Sequence, residues 1–338
     1  MSLHALSVDL EEHFQVANFD GLVERSRWDE EPSRVTDSAR RLLDAFDENG
    51  SRATFFVLGW VAERRPELVR EIAARGHEIA CHGYGHELVY EIGPQRFRDD
   101  LLRAKRAIED AAGVPVEGYR APSFSITERS LWALDILAEE GFRFDSSIFP
   151  VRHYRYGIPD FDQRPVELRL PNGLSIREFP LTTLDVGPVR LPLAGGAYLR
   201  FLPPAIFRWG LRRLAGARVP SVLYLHPWEI DAEQPRLSTN WRVRVNHYHN
   251  LHRTLDRVRA LLERYAFQPV SRVLDHLAQA GRLPARSRAI SRAGSAPPRD
   301  QEVLRVSMRR ASLSTASATR VNTCSKICSS RPHGSGSR

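Results

Sequence analysis

Four helical patterns in this chain each stop at a glycine or one residue before it, and each is flanked by short apolar runs. A parallel α/β sheet accommodates that alternation and most other folds do not. The helices read as 37–49 before Gly50, 66–75 before Gly76, 94–112 before Gly113 and 127–140 before Gly141. Glycine at these points supplies the left-handed cap that ends a helix. The intervening runs predict strands at 3–9, 53–58, 78–82, 118–121, 143–146, 175–179 and 221–226. Repeated strand-then-helix units favour a barrel or a doubly wound sheet, and seven strands are close to a full barrel. A further helix is expected over 250–264, and the sequence holds no internal repeat.

The segment 195–216, GGAYLRFLPPAIFRWGLRRLAG, breaks the pattern by mixing aromatics, prolines and arginines. It can be read as an interfacial helix on a membrane surface or as part of a capping insertion, about 190–216, packed over the barrel. The second reading is adopted here.

A formal charge of +8 over 338 residues suggests a polyanion binder, but the charge is unevenly placed. Residues 285–338 hold eleven of the 49 Lys and Arg and two of the 41 acids, a net +9, which leaves 1–284 at −1. That balanced part carries no nucleic-acid motif, so nucleic-acid binding is excluded as the function of the folded region. The 285–338 segment, rich in Ser and Arg, has too few large apolar residues to offset its ordering entropy and is expected to be a disordered, solvated tail. Domain boundaries are thus placed at 1–284 and 285–338. No apolar run is long enough to span a bilayer. The N-terminus lacks a secretory pattern, and Cys81, Cys324 and Cys328 are too few for a disulfide framework. A cytoplasmic location is expected, with peripheral association at the inner membrane left open.

Reactive side chains gather at the C-terminal ends of the predicted strands, where parallel barrels place their active sites. Strand one ends in Asp9-Leu10-Glu11-Glu12, and the pleat puts Asp9 and Glu11 on one face. Strand three runs into His82-Gly83-Tyr84-Gly85-His86, whose HxxxH spacing can present two imidazoles to one cation. A carboxylate from a neighbouring strand end would complete two His and one carboxylate, an open set with room for water and substrate. Strand four ends in Arg120-Ala121-Pro122-Ser123-Phe124, with Arg120 suited to clamp a carboxylate. Strand seven ends in Leu225-His226-Pro227-Trp228-Glu229.

Taken in order, VDLEE, HGYGH, RAPSF, GFRFDSS and LYLHPWE resemble the motifs of carbohydrate esterase family four, the polysaccharide deacetylases. The resemblance covers about residues 4–280. DSSIFP, HPWEID and the 195–216 insertion further resemble the subgroup found with exosortase-linked exopolysaccharide clusters. It implies a distorted (β/α)7-type barrel with a C-terminal capping segment, and hydrolysis of N-acetyl groups on a polysaccharide or lipid-linked glycan. It also implies a divalent metal, zinc by preference with cobalt as an alternative, held by His82, His86 and a first-motif acid. Where the family commonly has two adjacent aspartates, this chain has Asp9-Leu10-Glu11-Glu12. Strand parity assigns the ligand to Glu11, with Glu12 as the alternative. The resemblance makes Asp9 the general base held by Arg120, His226 the general acid and Asp145 its orienting partner, with an oxyanion-binding backbone N–H near Ser123.

Tyr84, Phe124 and Trp228, with Trp241, are the expected sugar-stacking aromatics. His247, His249 and His252 are read as solvated, and the Cys324/Cys328 spacing as no zinc site. Two other readings stand beside the deacetylase. One is an allantoinase-like cyclic-amide hydrolase, and the other a catalytically silent polysaccharide-binding barrel. The sequence assigns no oligomeric state.

Overall fold

The computed structural model describes residues 4–287, so 288–338, with Cys324 and Cys328 and most of the expected tail, lie outside the described residues. The strands in chain order are β1 (His4–Leu10), β2 (Thr54–Val57), β3 (Glu78–Cys81), β4 (Gly118–Tyr119), β5 (Phe144–Asp145), β6 (Val166–Arg169), β7 (Ser175–Glu178), β8 (Thr183–Val186), β9 (Val189–Pro192), β10 (Ser221–Leu225), β11 (Phe267–Gln268) and β12 (Ala285–Ser287). The helices are α1 (Val35–Glu48), α2 (Gly59–Arg64), α3 (Pro66–Ala74), α4 (Val89–Ala112), α5 (Trp132–Glu139), α6 (Ala197–Phe201), α7 (Pro204–Gly216), α8 (Trp241–Tyr248), α9 (Leu251–Leu262) and α10 (Val270–Gln279). Among the described residues, no helix is long and apolar enough to cross a membrane.

The seven expected strands are β1, β2, β3, β4, β5, β7 and β10, and they form one parallel series in the order β10-β1-β2-β3-β4-β5-β7. All seven residues of β1 are buried, as a strand covered on both faces must be. Helix α1 shows how the outer layer is made: Val35, Ala39, Leu42, Leu43 and Phe46 fall on one stripe and join the core, while the opposite face is charged.

β7 and β10 do not pair, and the loop after β7 fills the gap between them. The Thr182 hydroxyl accepts the Val222 N–H at 2.7 Å and donates to the Val222 carbonyl at 2.8 Å. Farther along, Ala194 and Gly196 bond the two sides of Tyr224. Gly195 between them has φ +113°, and a Cβ there would come within 2.1 Å of the Tyr224 carbonyl oxygen. The barrel is thereby closed by one side chain and a short bridge, which is the physical content of its distortion.

Several boundaries differ from expectation. The antiparallel β6–β7 hairpin leaves an open edge on β6, and β12 pairs with it in parallel, so the ordered chain runs past the boundary placed at 284. The helix expected from Pro94 begins at Val89, with a break at Gly93 (φ 73°) that lets Pro94 open the second piece. The capping insertion consists of the β8–β9 hairpin, α6 and α7; Phe207, Leu211 and Leu214 of α7 are buried, whereas Ile206 and Trp209 are exposed.

Replacing Thr182 by Val should cost about 2 kcal/mol, because the buried Val222 N–H loses its acceptor, while Thr182→Ser should cost much less. Urea unfolding of the two variants checks this.

Candidate active site

The ends of β1, β3, β4 and β10 converge on a cleft of about 390 Å³ bordered by Asp9, Glu11, His82, His86, Ser123 and His226. Glu11 Oε2 lies 3.0 Å from His86 Nε2 and 3.9 Å from His82 Nε2, all three side chains being buried. One nitrogen or oxygen from each falls within 4.8 Å of the others, the spacing of a shared cation. Glu11 Oε2 receives no well-directed hydrogen bond despite complete burial. His82 Nδ1 meets the Arg120 carbonyl at 2.7 Å, which fixes the ring and leaves Nε2 toward the cluster. Burial holds the His82 imidazole down at about 3, with the neighbouring His86 adding to the shift. Burial alone would raise the Glu11 carboxylate, but His86, His226 and His82 overcome it and hold the group below its ordinary range. A carboxylate with an orphaned oxygen and two imidazoles, from Glu11, His82 and His86, are a donor set that fits a divalent cation.

Glu12 is not part of this set. Its Oε2 accepts the Arg34 and Val35 N–H groups at 2.9 and 3.2 Å at the start of α1, and its Oε1 accepts the Ser33 hydroxyl at 2.5 Å. The alternative ligand is thus a helix cap, and strand parity selects Glu11.

On one side of the cluster, Asp9 Oδ1 accepts Arg120 Nη1 at 2.7 Å. The same guanidinium nitrogen donates to Ser7 Oγ, while Nε and Nη2 donate to the carbonyl and hydroxyl of Ser146. On the other side, His226 Nε2 stands 3.8 Å from Asp9 Oδ2 and 3.7 Å from Glu11 Oε1. Its Nδ1 is 3.0 Å from Glu229 Oε2. Burial works against a charge on His226, but Glu229, Glu11 and Asp9 outweigh it and push its pKa up to about 9. Trp228 stacks on the His226 ring at 4.9 Å and donates its indole N–H to Glu11 Oε1 at 3.1 Å.

Comparison with known proteins gives two adjoining matches. Residues 26–143 match the model of the polysaccharide deacetylase family, and 146–275 match a domain of unknown function, DUF3473. The chain carries a polysaccharide deacetylase domain. A peptidoglycan-N-acetylglucosamine deacetylase of Bacillus cereus is 31% identical over 96 residues, covering 28% of this chain and 35% of that protein. A peptidoglycan deacetylase of Helicobacter pylori is 33% identical over 175 residues, or 49% of this chain and 55% of that one. The chain thus spans about a third to just over half of the length of these curated relatives. A solved structure named as a polysaccharide deacetylase from Mycobacterium smegmatis superposes with TM-score 0.58 at 23% identity, covering 88% of this chain and 95% of that one. An allantoinase superposes with TM-score 0.53 at 18% identity, covering 83% and 92%. Both likenesses bear on the fold alone and agree with the expected barrel.

Within this deacetylase domain and the segment that follows it, some expected residues fall elsewhere. Asp145 does not reach His226. Its Oδ1 accepts the Ser147 hydroxyl at 2.6 Å, and it faces Glu178 across a buried carboxyl pair. Glu229 occupies the place at His226 that was assigned to Asp145. The HPWE spacing was its signal, since a single helical turn brings the first and fourth residues together.

The expected aromatics are also redistributed. Tyr84 lies outside the cleft, bonding Glu63 and Arg103 through its hydroxyl because the glycines on either side turn its ring toward α2 and α4. Phe124 and Trp228 line the cleft but are only 7% exposed. Trp241 is exposed and does not border it. Tyr154 and Phe201 are the open rings at the cleft, and the sequence reading missed them. His247 is buried rather than solvated, stacked on Trp228 at 4.2 Å and bonded to Gln234; His249 and His252 are exposed.

Burial raises both members of the Asp145–Glu178 pair, Asp145 to about 6 and Glu178 further through repulsion by Asp145. The folded state therefore binds more protons than the unfolded chain. This contribution is fully present below the ordinary carboxylate range and is lost as pH rises through about 6 and above. Glu178→Gln cannot lose a proton. Its Tm should match or fall below that of the parent at pH 4.5 and exceed it by about 3 °C at pH 8, measured by thermal scans across pH.

Proposed function

We propose that this chain is a metal-dependent hydrolase that removes N-acetyl groups from the amino sugars of a polysaccharide or lipid-linked glycan. One observation carries the reading: a clamped carboxylate, Asp9, and the imidazole of His226 both border the Glu11–His82–His86 set. The names of the relatives, peptidoglycan and chitooligosaccharide deacetylases, support N-acetylated glycans as the substrate class. An exopolysaccharide is the glycan favoured here, in keeping with the subgroup that the sequence resembles.

A divalent cation, zinc or cobalt, held by Glu11, His82 and His86 would polarise the acetyl carbonyl and acidify water. Asp9 takes the proton from the attacking water, and the Arg120 clamp keeps its carboxylate aimed. His226, carrying a proton at neutral pH, gives it to the departing nitrogen, so that acetate and a free amino sugar leave. Ser123 and Phe124 hold left-handed backbone (φ 51° and 55°), a conformation that costs about 1 kcal/mol or more each and tends to mark functional sites. That turn lines the cleft, and its backbone N–H near Ser123 is the candidate donor to the developing oxyanion. Tyr154 and Phe201 take over the sugar-stacking role.

Asp9→Asn should lower acetate release from N-acetylglucosamine oligomers by about 100-fold or more. A chelator should abolish it and zinc or cobalt restore it. Full activity of Asp9→Asn would overturn the mechanism. Ring opening of cyclic imides without acetate release would favour the allantoinase-like alternative, and no turnover of either substrate would favour the binding barrel.

Peripheral membrane attachment is proposed for the outer face of α7, where Ile206, Trp209, Arg212 and Arg213 are exposed while Phe207, Leu211 and Leu214 pack inward. The two readings of this segment then describe its two faces. Trp209→Ser with Arg212→Glu in the full chain should weaken sedimentation with phosphatidylglycerol vesicles by about tenfold, each basic residue near such a surface contributing about 1 kcal/mol. Unchanged sedimentation would overturn this attachment.

A further inference from the structure

Glu229 is fully buried, and both of its oxygens are used. Oε2 faces His226 Nδ1 at 3.0 Å and also accepts the His226 backbone N–H at 3.1 Å. Oε1 accepts Arg200 Nε at 2.8 Å. Arg200, 1% exposed, comes from α6 in the capping insertion and sends Nη1 to the carbonyls of His247 and His249, at 2.9 and 3.1 Å, where α8 meets α9. The Arg200 carbonyl in turn accepts Asn250 Nδ2 at 3.0 Å. The guanidinium also lies over the Trp228 ring, whose indole stacks on His226. Each of these residues falls within 146–275, the segment matched only to a domain of unknown function. Asp9, Glu11, His82, His86 and Arg120 all precede it.

We infer that residues 146–275 supply the acid half of the catalytic centre through an Arg200–Glu229–His226 relay, with Arg200 and Glu229 as positioning residues. The chemistry of this inference rests on the deacetylase reading, while its geometry stands apart from it. An isolated buried carboxylate would neutralise by taking up a proton. The Arg200 guanidinium keeps Glu229 anionic, and the anion holds the Nδ1–H of His226 and turns Nε2 toward Asp9 and Glu11. Among the described residues no other carboxylate reaches Nδ1, and Asp145 is engaged with Ser147 and Glu178. The proton that Nε2 gives to the leaving amine is later regained from solvent, and Glu229 stays ionised throughout. The insertion thus reaches the reacting histidine through a single arginine, and the 26–143 domain lacks its acid without it.

The test uses the full chain and three variants: Glu229→Gln, Arg200→Met and the double variant. Arg200→Met alone leaves an unpaired buried carboxylate and is expected to lower Tm. The double variant removes both charges at similar volume and should recover most of that loss. With N-acetylglucosamine oligomers, Glu229→Gln and the double variant should each lower kcat by about 100-fold with KM changed less than about twofold. Nitrogen-15 NMR of labelled histidine should show the His226 Nδ1 resonance displaced in both. A double variant with parental Tm and parental kcat, or an unmoved Nδ1 resonance in Glu229→Gln, would overturn the relay. If the parent chain releases no acetate, the NMR arm alone decides the relay, and the loss then falls on the deacetylase reading.

Discussion

Arg120 is the side chain on which the base half of the site depends. It is wholly buried, and its guanidinium bonds Asp9 and Ser7 of β1 and both the carbonyl and the hydroxyl of Ser146 beyond β5. Its backbone N–H bonds the Cys81 carbonyl at the end of β3, and its own carbonyl receives His82 Nδ1. One residue therefore clamps Asp9, orients the His82 imidazole and ties the ends of four strands. Burying such a pair forfeits several kcal/mol of solvation per ion, and attraction recovers it only when the remaining donors are satisfied. Here Nε, Nη1 and Nη2 all find acceptors, and the Phe56 ring lies 4.1 Å from the guanidinium carbon.

The same arrangement recurs across the cleft. Glu229 with Arg200 is a second buried ion pair, next to His226, and here Nη1 of the guanidinium is held by two main-chain carbonyls. A hydrophobic pair of equal volume would serve stability as well at either place. What two fixed charges add is direction. They hold Asp9 and His226 at set distances from Glu11 and leave little freedom to either ring or carboxylate.

Most of this was legible in the sequence wherever the chemistry is local to a strand end. Asp9 and Glu11 share a face because the pleat has period two, and the same parity sends Glu12 to cap α1. His82 and His86 meet because the chain turns after β3, with His86 in left-handed backbone (φ 52°). The seven parallel strands were readable because each is a short apolar run between glycine-stopped helices. What could not be read depends on long-range packing. The strands β6, β8, β9 and β12 are short and partly or wholly exposed, so they carry no apolar run. Tyr84 and Trp228 look alike as aromatics beside a motif, yet one packs against α2 and α4 while the other supports His226. The partner of His226 was misassigned because the family resemblance pointed to Asp145. The acid that reaches it, Glu229, sits three residues away within the same motif, where local geometry outweighs the analogy.

The boundary between the two family matches, at residues 143 and 146, falls on β5, an interior strand paired with β4 on one side and β7 on the other. A cut there would expose both edges of the sheet and divide the Glu11–His82–His86 cluster from His226. The hydrogen-bonded sheet does not part, and residues 4–287 belong to one compact unit. In physical terms the domain of unknown function is the second part of the barrel: it provides the edge that Thr182 and Gly195 close and the wall from which Arg200 reaches Glu229. A barrel open between β7 and β10 would leave the main chain of Val222 and Tyr224 without its partners on that side, and the strand end before His226 held by β1 alone. Closure of the sheet and placement of His226 are therefore coupled through β10, and a change in one should be felt at the other.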